Sequence, residues 1–170
     1  LPIYLSEDLE NNPKRHSRFL NPSISYSSDG FDFTLPYKKI LSNNSDLIFG
    51  PRAIAKRGNG FEFQFNSKKD KSSLKANLIY LSSDKEFDKR YPSHKNIGDQ
   101  RWGYEIKSSS DLQLGTLNVN WADFSDFHFF RDVPGESVNL NFQREEYFEQ
   151  SISFQGNFKK LSYELGSMGF

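Results

Sequence analysis

Asp126 and His128 stand two residues apart in the stretch FSDFHFFRD. A carboxylate beside an imidazole can move a proton, and general acid/base hydrolysis is the chemistry that such a pair performs. Acyl transfer also needs a nucleophile within reach of the base, and no serine, cysteine or second dyad stands out as its partner. A solvated loop is the plainer reading. The three histidines, His16, His94 and His128, lie far apart with no partner at ligand spacing, which argues against zinc. The chain has no cysteine, so disulfide staples and thiolate metal sites are excluded from this stretch. No residues point to a nucleotide or redox cofactor, and no cofactor is expected. Twenty-two basic residues balance twenty-two acidic ones, which removes the electrostatic footprint of a nucleic-acid binder.

The elements that must position these groups share one period, and it is 2. FEFQFN places Phe61, Phe63 and Phe65 on one face and Glu62, Gln64 and Asn66 on the other. LKANLIYL alternates Leu74, Ala76, Leu78 and Tyr80 with Lys75 and Asn77. RWGYEIKS sets Trp102, Tyr104 and Ile106 against Arg101, Glu105 and Lys107, and LNVNW sets Leu117, Val119 and Trp121 against Asn118 and Asn120. VNLNFQ and SISFQ continue the rhythm through Val138, Leu140, Phe142, Ile152 and Phe154. This is strand patterning with one apolar and one strongly polar face. Turn signals at SSDG, RGNG, KKDKS, SSSD and GNFKK separate about ten strands, several long enough for the ~9 to 11 residues that a tilted strand needs to cross a bilayer. No run approaches the ~18 to 20 apolar residues of a membrane helix. The chain opens on LPIYL without an initiator Met, and is expected to be a segment of something longer.

The fold class is therefore all-β and antiparallel, and two architectures fit. In a soluble sandwich, one that binds carbohydrate through its aromatics for example, the apolar alternates pack inward. In an outer-membrane barrel they face lipid while the polar set lines a wet lumen. Long connections from Asp84 to Gly98 and from Ser125 to Gly135, alternating with short turns, have the asymmetry of a barrel. Aromatics near strand ends, at Tyr26, Tyr37, Tyr80, Trp102, Trp121 and Phe124, sit where an interfacial girdle would place them, although aromatics are also good strand formers. A barrel enzyme acting on lipid or peptide through Asp126 and His128 is a further alternative.

A resemblance adds to this reading. The stretches LPIY, RHSRFLNPSISY, FDFTLPY, PRAIAKRGNGFEFQF, IYLSSDKEFD, DQRWGYEI and FSDFHFFRD resemble, in order and at similar spacing, the start of the barrel domain of the LptD family of outer-membrane lipopolysaccharide-assembly proteins. The chain departs from the family pattern at Arg18, where a Gly is usual, and at KKILSNNS, which replaces an aromatic-rich connection containing proline.

The resemblance implies a transmembrane β-barrel of the Gram-negative outer membrane, without catalysis of its own. It passes lipopolysaccharide through a polar lumen and a lateral gate. It implies residues 1–18 as a linker from a periplasmic jelly roll and residues 19–170 as the first part of the barrel. An LptE-like plug lipoprotein and an LptA-like periplasmic bridge would be its partners. Proline has no N–H to give a ladder, and Pro22 and Pro36, in the first and second strands, are the positions at which the resemblance places the gate. Arg52, Arg101, Glu105 and Lys107 are expected to line the lumen beside plug or sugar chain. Lys56, Arg57, Lys85, Lys89 and Arg90 fall in loops expected outside the cell, where they could touch phosphates.

Overall fold

The computed structural model describes residues 16–93, 99–138, 140, 150–158 and 161–169, with residues from 157 onward described as backbone alone. The alternating segments pair into one antiparallel sheet. Its strands are β1 (Arg18–Phe19), β2 (Ser23–Ser27), β3 (Gly30–Thr34), β4 (Tyr37–Ser42), β5 (Ser45–Ile54), β6 (Gly58–Lys69), β7 (Ser72–Leu81), β8 (Arg101–Leu112), β9 (Gly115–Phe124), β10 (Gln150–Phe158) and β11 (Leu161–Gly169). Two single-turn helices, α1 (Phe87–Arg90) and α2 (Phe129–Asp132), lie in the β7–β8 and β9–β10 connections.

Each strand from β4 onward pairs with its chain neighbour, so the sheet runs β4 to β11 in sequence order. β5 also pairs with β3, and β4 with β1. The eleven segments therefore include two long strands, each broken in the middle: β1 with β2, and β3 with β4. Among the described residues, nothing pairs with the far edge of β2 or of β11. This is the all-β, antiparallel architecture that the alternation points to, and among the described residues no second sheet covers the apolar alternates.

Register carries the period of each strand across the sheet. One face holds rows such as Phe49, Phe63, Leu78 and Tyr104, and Leu47, Phe65, Ala76, Ile106 and Trp121. Those rings stay part-exposed or exposed, as a lipid-facing surface requires. The other face holds Arg52, Glu62, Asn77, Arg101 and Glu105, and these are buried.

What buries them is the chain itself. Both long connections fold back over the polar face: Phe129, Val133 and Leu140 pack on Ile54, Ile79, Leu81 and Ala122, and Phe87 is buried against the Arg101 guanidinium. Gly103 permits this closeness, because a Cβ there would stand 2.8 Å from the rings of Phe129 and Phe130. Of the expected strand VNLNFQ, only Val138 and Leu140 are described, both buried and neither in a strand; Asn139 and residues 141–143, Phe142 among them, lie outside the described residues.

Candidate functional site

The two strand breaks lie side by side. Pro36 falls between β3 and β4, opposite Leu20, whose N–H donates to the Pro36 carbonyl at 2.8 Å. Pro36 has no N–H to return. One strand further in, Leu35 donates to the carbonyl of Pro51 at 3.1 Å, and Pro51 likewise returns nothing. Pro22 lies exposed in the break between β1 and β2, and Pro36 is buried. Two neighbouring strands are thus broken at one height, and the next, β5, runs on unbroken but lacks one ladder bond at Pro51, at the edge of the sheet among the described residues. Each missing bond is worth about 0.5 to 1.5 kcal/mol in water.

Over the polar face the long connections build an ionic hub. Arg101, at the start of β8, is fully buried and forks onto Asp126 with two hydrogen bonds of 2.8 Å. Its third nitrogen donates to Asp84 at 2.7 Å and Asp132 at 3.1 Å. The guanidinium lies over Phe87 at 4.5 Å and Phe129 at 5.6 Å, so charge is met in the plane and rings lie on the faces. Arg57 shares Asp84 at 2.6 Å and takes Asp29 at 2.9 Å. Burial alone would raise the Asp126 pKa. The hydrogen bonds and charge of Arg101, helped by Ser125 and the His128 N–H, outweigh burial and hold it below the ordinary 3.8. Asp29 is lowered in the same way, with Arg57 and Arg90 overcoming burial.

A second cluster adjoins the proline breaks. Arg52 forks onto Asp32 at 2.6 and 3.0 Å and donates to Glu62 at 2.9 Å and the Pro134 carbonyl at 2.6 Å. The fully buried Glu62 accepts the backbone N–H groups of Glu136, Ser137 and Val138 at 2.6 to 3.0 Å. One carboxylate thereby holds residues 136–138 of the β9–β10 connection. Glu136 in turn accepts from the Ser23 hydroxyl of β2 at 2.6 Å.

Of the residues expected along a lumen, Arg52, Arg101 and Glu105 face the polar side but are sealed beneath the loops. Lys107 is part-exposed and bonded to Glu105 at 2.6 Å. It borders a trough of about 1000 Å³ at the tight-turn end, together with Asn66, Lys75, Asn118 and Asn120. Arg57, expected in an outer loop free to touch phosphate, is instead buried in the hub. Lys56 and Lys89 are exposed and bond to the Ser28 carbonyl and to Glu86, Lys85 is exposed, and Arg90 reaches Asp29 at 2.8 Å.

Asp126 is no solvated loop residue either. Both of its oxygens engage Arg101, while the His128 ring stacks on Tyr91 at 4.1 Å between centroids. Among the described residues no group of His, Cys, Asp and Glu is placed to hold a metal ion; His94 lies outside them.

No family model matches the chain. Curated relatives do. It is 30% identical over 161 residues to the LPS-assembly protein LptD of Pseudomonas aeruginosa (strain LESB58), covering 91% of this chain. It is 32% identical over 149 residues to LptD of Pseudomonas putida (strain ATCC 700007) and 30% over 148 residues to LptD of Neisseria meningitidis (strain H44/76), covering 85% and 83% of this chain. This chain is a homologue of the LptD proteins. It spans 17%, 15% and 18% of the lengths of these three relatives. LptD proteins reside in the Gram-negative outer membrane, and this chain is a stretch of such an outer-membrane protein. The LptD resemblance read from the residues is met by matches in several genera.

Sequence reasoning passed over Pro51, Glu62, Asp84 and Asp132. Pro51 was legible as a proline inside a strand pattern. The acids were not, because their partners are fixed by register and by loops that fold inward.

Proposed function

We propose that this chain is the early part of a barrel that assembles lipopolysaccharide into the outer membrane, with a lateral gate at the strands interrupted by Pro22 and Pro36. The observation that carries this reading is the pair of proline breaks in the outermost strands among the described residues, in a chain homologous to LptD. A seam that lacks ladder bonds opens at lower cost. Acyl chains would leave there while sugars stay on the polar face, near Lys107 and the trough that it borders. The energy must come from elsewhere, since the chain is read as a transporter without catalysis of its own.

In this reading residues 1–18 link to a periplasmic jelly roll and 19–170 begin the barrel; residues 1–15 lie outside the described ones. A plug lipoprotein like LptE and a periplasmic bridge like LptA complete the path. Arg52 and Arg101 shape the lumen wall by holding the loops, and Glu105 orients Lys107.

The test replaces Pro22 and Pro36 with Ala in the full-length protein. Two restored bonds at about 1 kcal/mol each would shift an opening equilibrium by a factor of about thirty. Surface lipopolysaccharide should fall while the barrel's melting temperature is kept or raised. Unchanged export, or a simple loss of folded protein, would mean that the prolines only punctuate strands.

A further inference from the structure

The two long connections carry the same motif. Ser83-Asp84-x-x-Phe87 follows β7 and Ser125-Asp126-x-x-Phe129 follows β9. In each, the Asp carboxylate accepts an N–H two residues on, from Glu86 at 3.1 Å and from His128 at 2.9 Å. In each, the Asp carbonyl accepts from the Phe N–H, at 3.1 and 3.0 Å, and a single helical turn follows. The turns close alike, with Tyr91 donating to the Phe87 carbonyl at 2.8 Å and Val133 to the Phe129 carbonyl at 2.7 Å. Their end residues match as well: Glu86 and His128 have φ of −96° and −94°, and Tyr91 and Val133 have φ of −130° and −131°.

Both copies meet at one side chain. Arg101 is gripped by the Asp of each motif and lies over the Phe of each. Neither copy can leave without stripping a buried guanidinium of a carboxylate, a change that such groups resist strongly. The second copy runs on to the segment 134–138, which is held by Glu62 and reaches Ser23 on the broken edge strand. A side chain at Gly50, beside Pro36, would touch Ser137 at 3.1 Å, so that segment lies directly over the break.

We infer that the duplicated loops form a single lid with Arg101 as its shared pin, and that the tip of this lid straps the proline-broken strands. Loosening either copy frees the other and slackens β2. The inference goes beyond the export reading and does not depend on it, so export can be disproved while the lid stands.

Hydrogen exchange in the full-length protein tests it. The reporters are backbone amides of residues 84–91, 126–138 and 23–27. Phe87→Ala, in the first copy, should speed exchange about tenfold in the second copy and in β2, and Phe129→Ala should do the same to the first copy. Arg101→Lys, which keeps the charge but loses the fork, should free both copies together. Amides of β6 and β7 should stay protected. If those also exchange, the sheet itself has been disturbed, and the milder Phe87→Leu and Phe129→Leu give the same comparison. The lid is overturned if each variant loosens only its own copy, or if β2 keeps its protection when both copies are free.

Discussion

The polar face of this sheet has two ends built from the same strands, and they treat charge in opposite ways. At the end of the long connections, Arg57 and Arg101 are fully buried and tied to four aspartates, Asp29, Asp84, Asp126 and Asp132. At the tight-turn end, Lys75 and Lys107 sit opposite each other on β7 and β8, beside asparagines, in an open trough. Strand chemistry does not separate the two ends. The loops do: 125–138 and 82–92 bring their own carboxylates and rings to one end, and turns of a few residues leave the other uncovered. Buried charge must be paired, whereas open charge is screened by water. The arginines are therefore structural at one end, and the lysines border open solvent at the other.

The largest effect that would break this contrast is Arg101→Ala. It leaves Asp126 buried without its arginine and Asp84 with Arg57 alone, and should cost about 3 to 5 kcal/mol, measured by thermal unfolding of the full-length barrel. A cost under about 1 kcal/mol would make the hub an ordinary surface cluster.

Glu62→Ala should cost less, about 2 to 3 kcal/mol, because three backbone N–H groups and Arg52 lose one acceptor. Protease cutting within 134–138 should rise with it. Gly103→Ala should cost about 1 to 3 kcal/mol by pushing a methyl into Phe129 and Phe130, seen as increased exchange at Val133.

Acid gives a smaller and graded test. Asp126 and Asp29 have folded pKa values below 3.8. Their contribution is therefore fully present above the unfolded value of about 3.9 and is lost as pH falls through the lower folded values. Loop protection should hold at pH 5 and fade below about pH 4, with the β6 and β7 amides fading later. The smallest effect belongs to the trough, where Lys107→Ala should change stability by no more than about 0.5 kcal/mol.

Much of the fold was legible because a period of 2 repeats through β6, β7, β8 and β9 with few interruptions. Pro22 and Pro36 were legible as breaks because proline acts locally. The hub was harder. Asp84 and Asp126 sit in stretches that read as polar loops, and the Ser-Asp-x-x-Phe repeat gains its meaning only when both copies meet Arg101. Arg57 looked solvated for the same reason: a basic residue beside RGNG gives no sign that a distant loop will close over it.

The facing of β6 tests the account most directly. Phe63 and Gln64 are neighbours at mid-strand, on opposite faces of the sheet. Each is replaced by Arg in the full-length protein, and folding stability is measured in lipid vesicles. Phe63→Arg should cost about 2 to 4 kcal/mol, and Gln64→Arg less than about 1 kcal/mol. Equal costs, or a greater cost at Gln64, would mean that the aromatic face does not meet lipid and that the sheet is not the wall of a membrane barrel.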